Sequence, residues 1–230
     1  MKRSILLVFA HPDDESFGVA GTVARYTQQG VPVELICATR GEKGTRLDVP
    51  DNTDTGTARE AELRTAAAVM GIRRIHFLGY IDGELETAND DEVAGKVLSI
   101  MQEFQPEVVI TFGSDGITGH PDHIAIGKAA TRAFEMLVRK DSSLRKLYYV
   151  TTDTSEIGGA TRPDEQVTTA IDISDYLDIK IRAVAAHRSQ HDARDFVEML
   201  EQNKTLSSSA REFFYLANPM NSTKETALLQ

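Results

Sequence analysis

The stretch Ile5-Leu6-Leu7-Val8-Phe9-Ala10-His11-Pro12-Asp13-Asp14-Glu15 decides how this chain is read. Five consecutive apolar residues with no polar alternation describe a strand buried on both faces, as in a parallel sheet covered by helices. In a nucleotide-binding sheet such a strand runs into a G-x-G-x-x-G turn whose backbone cradles a pyrophosphate. Here the turn holds one imidazole and three carboxylates, which would repel a phosphate. The missing glycine turn argues against a nucleotide-binding protein.

Outward from this stretch, short apolar runs recur at 33–38, 75–78, 108–112 and 147–150, each bounded by Gly, Pro or charged residues. Segments with helical spacing, at 15–29, 58–70 and 91–104, lie between the first four runs. That alternation predicts an α/β fold, a parallel sheet flanked by helices. Gly30, Gly71 and Pro106 stand where the helices should stop. After residue 150 the pattern loosens. An irregular stretch over 151–164 precedes a short strand at 167–173, two helices at 176–186 and 192–203, and a last strand or extended segment at 213–216. The polar tail from Asn218 onward is expected to fray. With no internal repeat and no linker, residues 1–230 read as a single domain.

Charge narrows the partners. Lys plus Arg number 25 against 35 Asp plus Glu, a net charge of -10, so nucleic acid is not an expected ligand. The acidic balance suits a metal ion or a neutral small molecule, and equally a merely well-solvated surface. The one cysteine, Cys37, lies inside an apolar run and is expected to pack as a small hydrophobe. The run at 5–9 is too short for a signal segment or a membrane span, which predicts a cytoplasmic protein without a membrane anchor. A homo-oligomer is compatible with all of this.

Pro12 suits the first turn of a helix, which brings His11 and Asp14, three residues apart, towards one point. The run at 108–112 leads through a glycine-containing loop to a second start of the same kind, His120-Pro121-Asp122-His123. In the common strand order 3-2-1-4-5, strands 1 and 4 are neighbours at the switch point where ligands bind. Two histidines and an aspartate from these two loops would make a three-ligand zinc site with a fourth position open for water, the catalytic arrangement. Taken singly, each motif reads equally well as a helix cap with acidic residues at a positive dipole end. His/Asp ligation also tolerates other divalent ions such as Fe2+.

Other histidines read more plainly. His76 alternates with apolar neighbours and is expected to be a hydrogen-bonded core or edge residue. His187 and His191 lack the carboxylate spacing for a second metal. The polar, unpatterned loop at 44–57 is of the kind that forms lids or specificity walls.

The pair His11-Pro12-Asp13-Asp14-Glu15 and Gly119-His120-Pro121-Asp122-His123 resembles the LmbE-like, or PIG-L, zinc-dependent deacetylases. The resemblance extends through Gly41-Glu42-Lys43-Gly44, Arg59 to Leu63, Gly79-Tyr80-Ile81-Asp82-Gly83 and His187-Arg188-Ser189-Gln190. It implies a Rossmann-like fold that binds zinc, and hydrolysis of the N-acetyl group of an N-acetylglucosamine derivative, a GlcNAc-malate or related glycoside among them. It implies His11, Asp14 and His123 as zinc ligands, Asp13 as general base, and His120 as the residue facing the acetyl oxygen. Arg59 and Asp82 are implied as substrate contacts. Asp122, two positions beyond His120, is expected to orient that imidazole, and His120 to act in its protonated form. Hydrolysis of another amide, or a non-catalytic sugar-binding module on the same fold, are the competing readings.

Overall fold

The computed structural model describes residues 3–139, 146–152, 167–204, 210–219 and 225–229. Its centre is a seven-stranded sheet in the order β3-β2-β1-β4-β5-β7-β6. The five parallel strands are β1 (Ile5–Phe9), β2 (Val33–Cys37), β3 (Arg74–Phe77), β4 (Val108–Phe112) and β5 (Lys146–Thr151). The strand order places β1 beside β4, as the sequence led us to expect. Every residue of β1, β2 and β4 is buried, which accounts for their largely apolar character. Glu34 is the exception in β2, and its carboxylate meets His76 Nε2 at 2.8 Å, which gives His76 the edge hydrogen bond foreseen for it. Each fully buried Leu, Ile or Phe of these strands contributes about 1.5–3 kcal/mol.

The helices are α1 (Asp14–Gln28), α2 (Thr55–Met70), α3 (Asp90–Phe104), the single turn α4 (Gly116–Gly119), α5 (Pro121–Val138), α6 (Leu177–Ala185) and α7 (His191–Gln202). One group is formed by α1, α2 and α6, another by α3 and α5. Right-handed crossovers put the two groups on opposite faces of the sheet. Helix α2 starts three residues earlier than its periodicity suggests, because Asp54 caps it by accepting from the Thr57 N–H. Gly71 ends it in a left-handed conformation, as read from the sequence. Cys37 is fully buried.

The far edge of the sheet departs from an all-parallel reading. β7 (Arg211–Asn218) pairs antiparallel with β5, and β6 (Thr169–Asp172) pairs antiparallel with β7, so the sheet is mixed. The tail does not simply fray. Glu225 bridges to Thr169 and accepts from the Tyr148 hydroxyl and the Lys146 ammonium, while Leu228 and Leu229 are buried and their N–H groups point at the Tyr26 hydroxyl. Two leucines and one carboxylate in a polar sequence suffice to dock its end. Most of the stretch expected to be irregular, residues 153–164 of 151–164, lies outside the described residues. No helix among the described residues is long and apolar enough to cross a membrane.

Candidate metal centre

The carboxyl ends of β1 and β4 bring the two His-Pro-Asp corners together. At the first, Asp14 folds back so that Oδ2 accepts the N–H groups of Ala10 (3.1 Å) and His11 (2.8 Å), closing the turn. Its other oxygen, Oδ1, lies 3.2 Å from Nε2 of His123. That nitrogen is 3.2 Å from Nδ1 of His11, which is 3.8 Å from Asp14 Oδ2. Zinc bonds of about 2.0–2.1 Å in a tetrahedron put donor atoms about 3.3–3.4 Å apart. The two 3.2 Å separations, from His123 Nε2 to Asp14 Oδ1 and to His11 Nδ1, match that spacing.

The hydrogen bonds behind these atoms fix which nitrogens have lone pairs. His11 Nε2 faces Asp122 Oδ2 at 3.1 Å and Asp82 Oδ1 at 3.2 Å, so it carries a proton and Nδ1 is left as the donor atom. His123 donates from Nδ1 to the Gly116 carbonyl at 3.0 Å and stacks flat on Phe112, leaving Nε2 free. Gly116 itself has φ +61, and a Cβ there would lie 2.9 Å from His123 Cβ. Two lone pairs and an ionised oxygen thus face one another. Without a cation between them, protons must take its place.

The charge balance says the same. Five carboxylates (Asp13, Asp14, Glu15, Asp82, Asp122) surround this point, with Arg59 beside them. Burial disfavours the charged form of His11, but hydrogen bonds to Asp122 and Asp82 and the charge of Asp14 outweigh it and push its pKa up to about 10. His123 is likewise raised, burial being outweighed by Asp14. Asp14 is held down to about 2: burial opposes its ionisation, and the two histidines overcome that. The surrounding carboxylates thus favour the charged form of both imidazoles.

Two other groups of metal-capable atoms lie within 4.8 Å of one another, and the first is His11 with Asp82 and Asp122. Its oxygens are already engaged. Asp122 is fully buried and accepts the N–H groups of Gly83 (2.7 Å) and Leu85 (3.1 Å), and Asp82 Oδ2 accepts that of Lys43 (3.1 Å). A cation there would compete with the His11 proton, so the group reads better as a shell that orients His11. The remaining group, His11, His120 and His123, includes a third ring 4.8 Å from both others.

His120 differs from expectation. Its Nδ1 accepts the Asp122 N–H at 3.2 Å, capping α5, so its proton sits on Nε2. Burial, then the charges of His11 and His123, lower its pKa. It is therefore a neutral imidazole with one N–H to offer, rather than a protonated one. The Asp122 carboxylate does not orient His120: it turns away, to His11 and the backbone at 83 and 85.

Asp13 stands beside the trio at φ 112, a left-handed conformation that costs a non-glycine residue on the order of 1–3 kcal/mol. Its Oδ2 is 2.8 Å from Arg59 Nη2. Burial raises its pKa, Arg59 opposes, and the result is about 6. Arg59 is 4% exposed and gives both terminal nitrogens to protein: Nη2 also donates to the Pro12 carbonyl at 2.6 Å, and Nη1 to that of Gly41 at 3.1 Å. Gly41, at φ +69, leaves room for it, since a Cβ there would lie 2.2 Å from Nη1. Arg59 and Asp82 thus sit behind Asp13 and His11.

Sequence reasoning passed over Glu15, Glu62 and the bracing role of residues 187–190. Glu15 Oε1 meets His187 Nε2 at 3.1 Å, and Glu62 accepts from both the N–H and the hydroxyl of Ser189. Gln190 bonds the Thr45 backbone in both directions and Leu47 N–H donates to Ser189, so the loop at 44–57 is tied down rather than loose. The only signal in the sequence was the motif at 187–190 itself.

A Rossmann-like sheet with a cluster of histidines and aspartates at its switch point, in place of a glycine turn, sets the chain apart from nucleotide-binding proteins and gives it side chains able to hold a metal. The chain belongs to the PIG-L family, described as GlcNAc-PI de-N-acetylase, which it matches over residues 6–134. A probable N-acetyl-α-D-glucosaminyl L-malate deacetylase 2 of Bacillus cereus is 37% identical over 197 residues, covering 84% of this chain and 86% of that protein. The 1D-myo-inositol 2-acetamido-2-deoxy-α-D-glucopyranoside deacetylase of Acidothermus cellulolyticus is 35% identical over 237 residues, 83% and 80% of the two chains. Among solved structures, the conserved protein TT1542 of Thermus thermophilus superimposes with a TM-score of 0.70 at 25% identity, over 96% of this chain and 97% of that one.

Proposed function

We propose that this chain is a zinc-dependent N-deacetylase that hydrolyses the acetamide of an N-acetylglucosamine glycoside with a small polar aglycone, such as malate. The observation that carries this is the convergence of His11 Nδ1, His123 Nε2 and Asp14 Oδ1, flanked by the strained Asp13 carboxylate and the His120 Nε2–H. The family membership supports it, as do two relatives whose names specify the same bond on GlcNAc linked to malate or to inositol.

Zinc held by His11, Asp14 and His123 would supply Lewis acidity to the acetyl carbonyl and acidify a water molecule. Asp13 takes the proton of the attacking water. Its pKa of about 6 suits a base that must be ionised at neutral pH yet accept a proton. The neutral His120 donates Nε2–H to the carbonyl oxygen as negative charge develops there. Asp122 and Asp82 hold the His11 ring, and Arg59 holds the Asp13 carboxylate; we assign Arg59 and Asp82 to positioning rather than to direct substrate contact. Protonation of the departing amine falls to Asp13, which carries the proton it has just taken, or to His120.

The test is amine release by the zinc-loaded protein from N-acetylglucosamine, its malate and inositol glycosides, and diacetylchitobiose, each with a chelator control. Chelator-sensitive release from one member supports the proposal and identifies the aglycone. No release from any of them, with zinc bound, overturns the substrate assignment.

A further inference from the structure

The first turn of α1 is joined to a distant segment by a buried brace. Glu15 and His187 are both fully buried and 172 positions apart in sequence, and Glu15 Oε1 lies 3.1 Å from His187 Nε2. The Ser16 hydroxyl joins them, 2.6 Å from Glu15 Oε1 and 3.1 Å from His187 Nε2. The other oxygen, Oε2, accepts the backbone N–H of Asp13 at 3.2 Å. Asp13 is the residue at φ 112, and its position as the N-cap of α1 brings no side-chain cap bond. A residue held in such a conformation persists only where its surroundings over-determine it.

We propose that His187, acting through Glu15, is a positioning residue for Asp13. The imidazole N–H fixes one oxygen of Glu15, which aims the other at the Asp13 N–H and holds that backbone turned so that the carboxylate faces the metal centre. Arg59 Nη2 holds that carboxylate at 2.8 Å. The base is therefore gripped at its main chain by one buried pair and at its side chain by another. Neither Glu15 nor His187 supplies one of the three converging donor atoms, and both are fully buried, out of reach of substrate. A buried carboxylate and imidazole brought so far through the chain need a reason to be there, since a buried ion pair is by itself weak evidence for stability.

This inference rests on the assignment of Asp13 as base, and the experiment separates the two. The zinc-loaded full chain is prepared as Glu15→Gln, His187→Ala, His187→Gln, Asp13→Ala and Asp13→Ala/Glu15→Gln, and each is measured for kcat, KM, zinc affinity by chelator competition, and exchange of the Asp13 amide proton. A Gln amide at 15 cannot accept from both partners as the carboxylate does. Glu15→Gln and His187→Ala should each lower kcat about ten- to hundredfold, leave KM and zinc affinity within about threefold, and speed Asp13 amide exchange at least about tenfold. His187→Gln, which restores an N–H near Nε2, should recover most of the loss. The double variant should be no slower than Asp13→Ala alone, because a residue that works only through Asp13 has nothing left to position. Multiplying losses in the double variant, a loss confined to KM or zinc binding, or unchanged Asp13 amide exchange would each overturn the proposal. If Asp13→Ala keeps wild-type activity, the base assignment fails instead, and amide exchange alone decides whether the brace exists. Should Glu15→Gln not fold, the His187→Ala and His187→Gln pair carries the same comparison.

Discussion

The two helix starts at this site share a spelling and divide the labour. His11-Pro12-Asp13-Asp14 and His120-Pro121-Asp122-His123 each place a histidine, a proline, an aspartate and a ligand-type residue in register. The fourth positions, Asp14 and His123, behave alike and meet at 3.2 Å. The other two are exchanged. At the first corner the histidine offers its free nitrogen to the centre and the aspartate is strained and partly exposed. At the second the histidine spends Nδ1 on capping the helix, and the aspartate is fully buried with three partners. The identity of a motif therefore does not assign roles; the backbone conformation at its third residue does. Asp13 at φ 112 swings its carboxylate towards the open side, whereas Asp122, inside a regular helical turn, points into the protein.

The equivalence of the fourth positions is the most exposed part of this comparison. Asp14→Ala and His123→Ala should each abolish zinc retention under conditions where the parent chain holds one ion, as read by metal analysis after dialysis. Full occupancy in either variant would show that the metal lies elsewhere, in the group around Asp82 and Asp122. The difference between the third positions comes next in size. Asp13→Ala should keep its zinc and lose about two to four orders of magnitude in kcat, the usual consequence of removing a general base. A variant that retains most of its turnover would place the base on another residue.

The difference between the first positions is read by pH. In the metal-free protein His11 is raised from its ordinary 6.5 to about 10, because the carboxylates of Asp122, Asp82 and Asp14 outweigh its burial. A group whose folded pKa is raised contributes stability that is complete below the unfolded value and is lost as pH climbs through the folded one. The melting temperature of the chelated protein should therefore fall between pH 6.5 and about 10. With zinc on Nδ1 the imidazole is already neutral, so this loss disappears from the loaded protein, and zinc affinity rises with pH across the same window. Parallel melting curves for the two forms across that range would contradict the assignment of His11 as a ligand.

How much of this was legible in the sequence differs from element to element. β1 and β4 announce themselves because a strand covered on both faces is almost wholly apolar, Thr111 of β4 being tolerated by donating its hydroxyl to the Val8 carbonyl, and their neighbouring positions followed from the α/β alternation. β7 was seen only in part and its direction not at all: its burial alternates, but Phe213, Phe214, Tyr215 and Leu216 are all apolar, so the period of two is invisible in the letters. That the two corners meet was foreseeable from spacing and topology, while the choice of His123 over His120 came from the family resemblance. The partner of Asp122 was not. Its carboxylate is claimed by the N–H groups of Gly83 and Leu85, nearly forty residues earlier, and backbone donors leave no trace in the side-chain sequence.

Asp122 and Asp82 share the His11 Nε2 proton, at 3.1 and 3.2 Å, and near-equal distances suggest equal partners. Their surroundings say otherwise. Asp122 has no solvent exposure and also accepts two backbone N–H groups, so its two oxygens serve three donors in a site that water cannot reach. Asp82 accepts one backbone N–H, from Lys43, and lies 3.7 Å from Arg59 Nη1. Asp122→Asn, whose amide must turn an N–H towards one of those donors, should weaken zinc binding about ten- to hundredfold, the usual effect of losing a partner that orients a ligand, and should lower the melting temperature as well. Asp82→Asn leaves Asp122 in place to hold the ring and should cost less than about tenfold in zinc affinity, with the smaller change in melting temperature. The sharper result is the order of the two. If Asp82→Asn weakens zinc more than Asp122→Asn does, the carboxylate buried at the second corner is not what holds His11, and the division of labour between the corners fails at its most deeply buried residue.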